Sequence, residues 1–367
     1  MKKICIICLV LIILLVGCSQ PNNNSTLNVS YELNFLREFE IKKSQYDITI
    51  AHTKDYIFLG KYDDGDLNVL SYNIASSEFS VIGQIKNFFI HSGDVAEINN
   101  KLYFFVTTHS ESEKANKNFY CIDIEKQSLK KLYSDNLYQT FNYLTVFNEK
   151  IFIIKGDTKD NEAVTYIEEY DVNTNKTNTI KKLTADYEKE TGGVILHITS
   201  DKENLVVYYQ NYVNSQLKKF IDAYDLNLKL LYSKEIEYNK ENLLNQMVGS
   251  FEIWENYLRI ENFSNASVIL DLDDKKEPIF NNLDNPLSLA QQTREPLPYM
   301  LLFKRGSTEM FILKSDGELK KYDDLKIAKG YVISHITQCS NNICIWLKNE
   351  NNDIIKCLLY ESIDTIK

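Results

Sequence analysis

The stretch EEYDVNTNKTNTI, residues 168–180, decides how the rest of the chain is read. A strand ends on an aromatic residue, Tyr170, and an acidic one, Asp171. A polar turn follows, and another short strand begins. The arrangement recurs as Tyr72-Asn73 in LSYNIASSEFSVI, Ile122-Asp123 in YCIDIEKQSLKKL, Tyr224-Asp225 in DAYDLNLKLLYS and Leu270-Asp271 in VILDLDDKKEPIF. Two weaker copies follow, Leu313-Lys314 in FILKSDGELKKY and Tyr360-Glu361 in LLYESIDTIK. The second positions lie 50, 48, 54, 46, 43 and 47 residues apart, a mean period of 48. At such a place Asp or Asn opens a tight turn by accepting backbone amides, and the aromatic before it packs between repeats.

Working outward, each copy is preceded by two more strand-like runs. Lys101-Leu-Tyr-Phe-Phe, Lys150-Ile-Phe-Ile-Ile, Asn204-Leu-Val-Val-Tyr, Asn256-Tyr-Leu-Arg-Ile and Asn342-Ile-Cys-Ile-Trp hold one equivalent place. A shorter apolar run lies upstream, as in Ile48-Thr-Ile-Ala, Tyr143-Leu-Thr-Val and Val194-Ile-Leu-His. Each unit therefore reads as four short antiparallel strands, at a period typical of propeller blades. The expected fold is all-β, a single β-propeller over residues 31–367 with seven four-stranded blades. Residues 33–41 are a strand left over before the first blade, and they are expected to complete the seventh as its outer strand; residues 362–366 compete for that role. The pattern resembles kelch-like and quinoprotein-like propellers, with Tyr170-Asp171-x-x-Thr174 similar to the end of their third strand. Gly192-Gly193 is the one double glycine, and the Trp-Asp dipeptide of other propellers is absent.

Before the repeats stands a different kind of sequence. Lys2 and Lys3 precede an apolar run, Ile4 to Val16, of 13 residues, which is shorter than the roughly 20 that a spanning helix needs. Leu15-Val16-Gly17-Cys18 follows, and it resembles the lipobox of bacterial lipoprotein precursors. The resemblance implies a signal peptide of residues 1–17, a diacylglycerol on the Cys18 thiol and cleavage before Cys18. Two or three acyl chains, at about 0.8 kcal/mol per buried CH₂, give stable anchoring. The expected location is thus the cell membrane, lipid-anchored, on its extracytoplasmic face. Residues 18–30 continue as a polar, Asn-rich segment that reads as a flexible tether.

Without Lys2 and Lys3 the 41 basic residues fall to 39 against 51 acidic ones, a net charge of −12. Such an acidic chain is a poor partner for nucleic acid or anionic headgroups. Besides Cys18, four cysteines remain, Cys121, Cys339, Cys344 and Cys357. If the hairpin after Asn342-Ile-Cys-Ile-Trp turns between Glu350 and Asn351, Cys344 lies opposite Cys357. A disulfide there is one reading; a pair of small buried apolar residues is the other and the commoner for free cysteines.

No catalytic motif emerges. There is no Gly-x-Ser-x-Gly, no His-Glu-x-x-His and no phosphate-binding glycine loop, and only 12 glycines in all. No metal or cofactor is expected. Asp63-Asp64-Gly65-Asp66 and Asp271-x-Asp273-Asp274 read as solvated turns, since neither has calcium-loop spacing. His197 and His335 fall at one place in two units, on the innermost strand, which lines a propeller's channel. A metal or anion site is the sharper reading, and a repeated packing residue is the one we favour. Long links at 183–193, 237–248 and 281–298, the second with room for a short helix, and long hairpin loops at 107–118 and 156–163 are expected on one face, where binding tends to reside. The expected function is non-catalytic: a membrane-anchored scaffold or recognition module for a protein or envelope component. The alternative is a glycan-binding or glycan-active propeller.

Overall fold

The structure, a computed structural model, describes residues 29–109, 116–135, 143–159, 161–200, 203–236, 248–254, 257–262, 267–271, 279–281, 288–289, 291–292, 299–313, 319–339, 341–349 and 353–366. The expected signal peptide, Cys18 and the tether up to residue 28 lie outside them. The chain divides into two compact units, Asn34–Glu361 and Met1–Leu33 with Ser362–Lys367. In the smaller unit the described residues, 29–33 and 362–366, are strand. The larger unit is all-β. Among the described residues its helical content is one 3₁₀ turn, Lys43–Gln45.

Four-stranded antiparallel meanders follow one another along the chain. The first runs through Ile48–His52, Tyr56–Asp63, Asp66–Asn73 and Glu78–Ile85. The second runs through Phe88–Ile98, Lys101–Thr108, Asn116–Asp123 and Ser128–Asp135. The third starts at Leu144–Phe147 and ends with Lys176–Asp186; the fourth starts at Thr191–Ser200 and ends with Leu230–Glu235. Val248–Trp254 opens the next sheet, and Ser288–Leu289 with Met300–Phe303 opens the one after it. The last sheet contains Val332–Cys339, Asn342–Lys348 and Ile354–Ile366. Its outer edge is the N-terminal strand Val29–Lys42, the place expected for residues 33–41. Residues 362–366 instead prolong the strand beside it.

Among the described residues these strands make four sheets of four strands, one of eight and one of five. The period suggested seven blades, but the third and fourth repeats merge. Their junction is a hairpin, with Ala185 opposite Gly192 and Asp186 opposite Thr191. The link expected at 183–193 is therefore mostly strand. Two glycines permit it. Gly192 has φ +74, and a Cβ there would lie 1.9 Å from the Thr184 carbonyl oxygen; a Cβ on Gly193 would lie 2.4 Å from that of Gln210. The loop expected at 156–163 is also paired strand, from Gly156 opposite Thr165 to Lys159 opposite Glu162. Ala163, Ala185 and Val194 form a small apolar cluster that holds these arms. Of the other long segments, 110–115, 237–247, 282–287, 290 and 293–298 lie outside the described residues, and so does the helix expected in 237–248.

The arrangement is that of a propeller. The innermost strand of each early repeat neighbours the next: Ile48–His52, Phe88–Ile98, Leu144–Phe147, Thr191–Ser200 and Val248–Trp254 in turn, with Val332–Cys339 beside Ile48–His52. Apolar layers fill the spaces between successive sheets. Leu67 and Val69 pack on Phe104 and Ile122, Phe119 and Cys121 on Ile151 and Tyr170, and Ile154 and Ile167 on Ile195 and Val207. Phe39 and Trp346 pack on Tyr72 where the last sheet meets the first. Each layer follows from strand alternation, which sends every second side chain into the same gap.

Candidate functional site

In the first five repeats the pair sits where the sequence placed it, at the end of the third strand; in the last, Tyr360-Glu361 lies within Ile354–Ile366, and Lys314 is outside the described residues. The Asn73 Oδ1 accepts the amides of Ala75 and Ser76 at 2.9 and 3.0 Å. Asp171 accepts those of Asn173 and Thr174 at 2.8 and 3.2 Å, and Asp225 those of Asn227 and Lys229, both at 2.9 Å. The amides hold the Asp171 carboxyl below the usual carboxylate range. Tyr170 is buried between the second and third sheets, and its hydroxyl donates to Asn175 Oδ1 at 2.8 Å. These groups build turns and are used up in doing so.

The two histidines occupy the innermost strands of their repeats, each just after a β-bulge. His197 is buried and stacks on Tyr143, ring centroids 3.9 Å apart, with Nδ1 3.2 Å from the Ile198 carbonyl oxygen. His335 lies nearly parallel to Trp346 at 5.0 Å, and burial, helped by Arg305, brings its pKa down to about 4. Both are packed against aromatics. Among the described residues no three His, Cys, Asp or Glu side chains gather as metal ligands.

The four cysteines are buried and free. Cys344 faces Leu359 and Cys357 faces Trp346, so the ladder is displaced by two residues from the register that would set the cysteines opposite. The pair is diagonal on one sheet face, farther apart than directly paired positions. At Asp63–Asp66 the turn residues Asp64 and Gly65 have φ 46 and 84, which suits a two-residue hairpin. Asp66 receives the Lys86 ammonium at 2.7 Å and the Asn87 amide at 2.9 Å. The Lys86 bond holds its carboxyl below the usual range. The carboxylate serves the link between the first two sheets. Asp273 and Asp274 lie outside the described residues.

That link borders a groove of about 750 Å³ between the first and second sheets. Gln84 and Lys86 line one side, from the outer strand of the first sheet and the link after it. Asn116, Asn118 and Tyr120 face it from the third strand of the second sheet, and Lys131 from the fourth. Alternation explains the set: in Asn116–Asp123 the even-numbered residues turn to the first sheet, while Phe119 and Cys121 turn to the third. Asn118 is fixed, donating to Thr108 Oγ1 at 2.8 Å and accepting from Ser134 at 2.9 Å. Beside the groove, where a Cβ on Gly83 would lie 2.5 Å from that of Leu129, the two outer strands touch. Phe89, 57% exposed, packs tilted against the groove residue His109, ring centroids 4.6 Å apart. Ile90 is equally bare, and Tyr62, half-exposed on the neighbouring hairpin, contacts Phe88.

Sequence reading singled out none of the groove's strand residues beyond the ends of the 107–118 loop. The available signal was the alternation of Asn116 and Asn118 in an otherwise apolar strand.

No protein-family profile matches the chain, and no curated protein matches it. Solved structures with similar backbones are propellers. The β-propeller domain of the Trilobed protease from Pyrococcus furiosus is 12% identical, with 88% of this chain and 96% of that one covered and a TM-score of 0.48. An uncharacterized protein from Listeria monocytogenes EGD-e is 10% identical over 92% of this chain and 98% of its own, TM-score 0.48. A virginiamycin B lyase from Staphylococcus aureus is 11% identical over 90% and 99%, TM-score 0.45. The propeller arrangement itself rests on the strand order and packing of this chain.

Proposed function

We propose that the chain is a membrane-anchored extracytoplasmic propeller that recognises a protein or envelope component without transforming it, and that its seven repeats act as seven blades. One observation supports this above the others. At one end of the first two sheets Tyr62, Phe89 and Ile90 stand exposed beside an open polar groove. Large apolar side chains gathered at a rim mark interaction surfaces. The lipobox-like segment around Cys18 supplies the anchor. The amide lining of the groove favours, as a second reading, a glycan as the component recognised.

Crosslinking on intact cells followed by recovery of the protein tests recognition. Phe89→Ala with Ile90→Ser is expected to lose the partner recovered by the wild type, and unchanged recovery counts against this rim. Cys18→Ala is expected to release the protein from the membrane or leave a heavier, uncleaved chain. Unchanged mass and membrane retention would remove the anchor from the proposal.

A further inference from the structure

We infer that the groove between the first and second sheets binds a carboxylate-bearing saccharide; this rests on the recognition reading above and names its ligand. The groove's volume, about 750 Å³, lies in the range of small-molecule sites. Its lining is rich in side-chain amides: Gln84, Asn87, Asn116 and Asn118. The amides of Gln84, Asn87 and Asn116 each offer a donor and an acceptor side by side, the complement of neighbouring hydroxyls on a sugar ring, whereas that of Asn118 is bonded within the protein. Asn118 is held on both sides, so part of this lining is preorganised before a ligand arrives.

The charge of the lining separates an acidic saccharide from a neutral one. The chain carries 51 acidic residues, yet among the described residues none lines the groove. Lys86 is bound to Asp66. Lys131 makes no ion pair with a described residue, so none of those residues competes with a ligand carboxylate for it. The exposed ring of Phe89, packed against the groove residue His109, adds an aromatic surface for the apolar face of a sugar. An acidic peptide carries the same charge without the neighbouring hydroxyls that these amides complement, so it fits less well.

Titration calorimetry on the full chain in detergent micelles tests this with a galacturonic acid tetramer, its methyl ester and a tetra-aspartate peptide. The acid is expected to bind at least tenfold more tightly than the ester or the peptide. Lys131→Gln is expected to weaken the acid about tenfold and leave the ester unchanged; Gln84→Ala and Asn116→Ala are expected to weaken both sugars. These side chains are on the surface, and an unchanged melting temperature confirms that the variants are folded. No binding of the acid at millimolar concentration, equal binding of the peptide, or an unaffected Lys131→Gln variant each overturns the inference. Partner recovery on cells uses none of these probes: if it depends on Phe89 while the acid does not bind, the ligand class fails and the recognition reading stands.

Discussion

Two junctions between neighbouring repeats are built in opposite ways. Between the third and fourth, the strands Lys176–Asp186 and Thr191–Ser200 join as a hairpin, and the side chains above it close on one another. Lys181 reaches from the third repeat to Asp222 of the fourth, at 2.5 Å, and to the Tyr224 hydroxyl at 2.8 Å. Tyr209 donates to the same carboxylate at 3.1 Å, and the Ile195 amide donates to Thr165 Oγ1 at 2.8 Å. Between the first and second repeats a short link, bound by Asp66, makes the connection, and the sheets touch at Gly83 and splay beyond it. The polar groups of the sealed junction satisfy each other. Those of the open one, Gln84, Asn116 and Lys131 among them, face a groove. The same repeat thus yields a structural seam or a binding site, according to how closely two outer edges approach.

The largest expected effect falls on the sealed junction. Burial works against both charges of the Lys181–Asp222 pair, yet their hydrogen bond wins, leaving Asp222 below and Lys181 above its ordinary pKa. Asp222 is only 4% exposed, so Lys181→Ala strands a carboxylate and is expected to cost about 3 kcal/mol in chemical denaturation. A loss below about 1 kcal/mol would mean that water already reaches this pair and that the junction is less sealed than it looks. Gly192→Ala comes next, at about 2–3 kcal/mol. A left-handed residue gains a Cβ, and the Thr184 carbonyl must move. Gly65→Ala also has positive φ but meets nothing within 4 Å, and it is expected to cost only about 1 kcal/mol. The difference between the two isolates the contact from the backbone strain.

At a third junction, last repeat to first, uncharged side chains fill the interior and an exposed ion pair, Lys54–Glu361 at 3.9 Å, lies outside them. His52 is buried with Nε2 3.2 Å from the Asn342 carbonyl oxygen, and His335 lies on Trp346. Burial brings each pKa down to about 4 from 6.5; the Asn342 carbonyl offsets this slightly for His52, and His335 adds to it. An unfolded chain takes up these protons near pH 6.5, and the folded one refuses them until about pH 4. Stability is therefore full above about pH 6.5 and falls as the pH drops between the two values, by about 2 kcal/mol per histidine at pH 5. His335→Gln is expected to flatten the melting temperature against pH over this window. An unaltered slope would assign the acid loss elsewhere.

How much of this was legible in the sequence follows from the range of each interaction. The turn at Asp171 involves amides two and three residues on, so residues 168–180 showed it directly, and the recurrence of the pair showed the repeat. The cysteine register depended on where one hairpin turned, and a shift of two residues moved Cys344 from Cys357 to Leu359. The merging of two repeats was visible only as Gly192-Gly193, which says that backbones approach but not whose. The groove was least legible. Gln84 and Lys131 are 47 residues apart in the chain and share a lining only because Gly83 lets Leu129 of the next repeat come close. Asp171→Ala tests the legible part: losing two amide bonds at an exposed turn is expected to cost about 1 kcal/mol.

The smallest stability effect belongs to the open junction and carries most of the contrast. Gln84→Ala and Asn116→Ala remove polar groups that face the groove from the flanks of two sheets. Neither side chain spans the seam as Lys181 does, so each substitution is expected to change stability by less than about 0.5 kcal/mol. If the melting temperature instead falls as far as for Lys181→Ala, these amides are part of the structure and the groove is a second sealed seam, filled by water. If it is unchanged, these side chains take no part in a seam and are left able to meet a ligand, as the inference above requires.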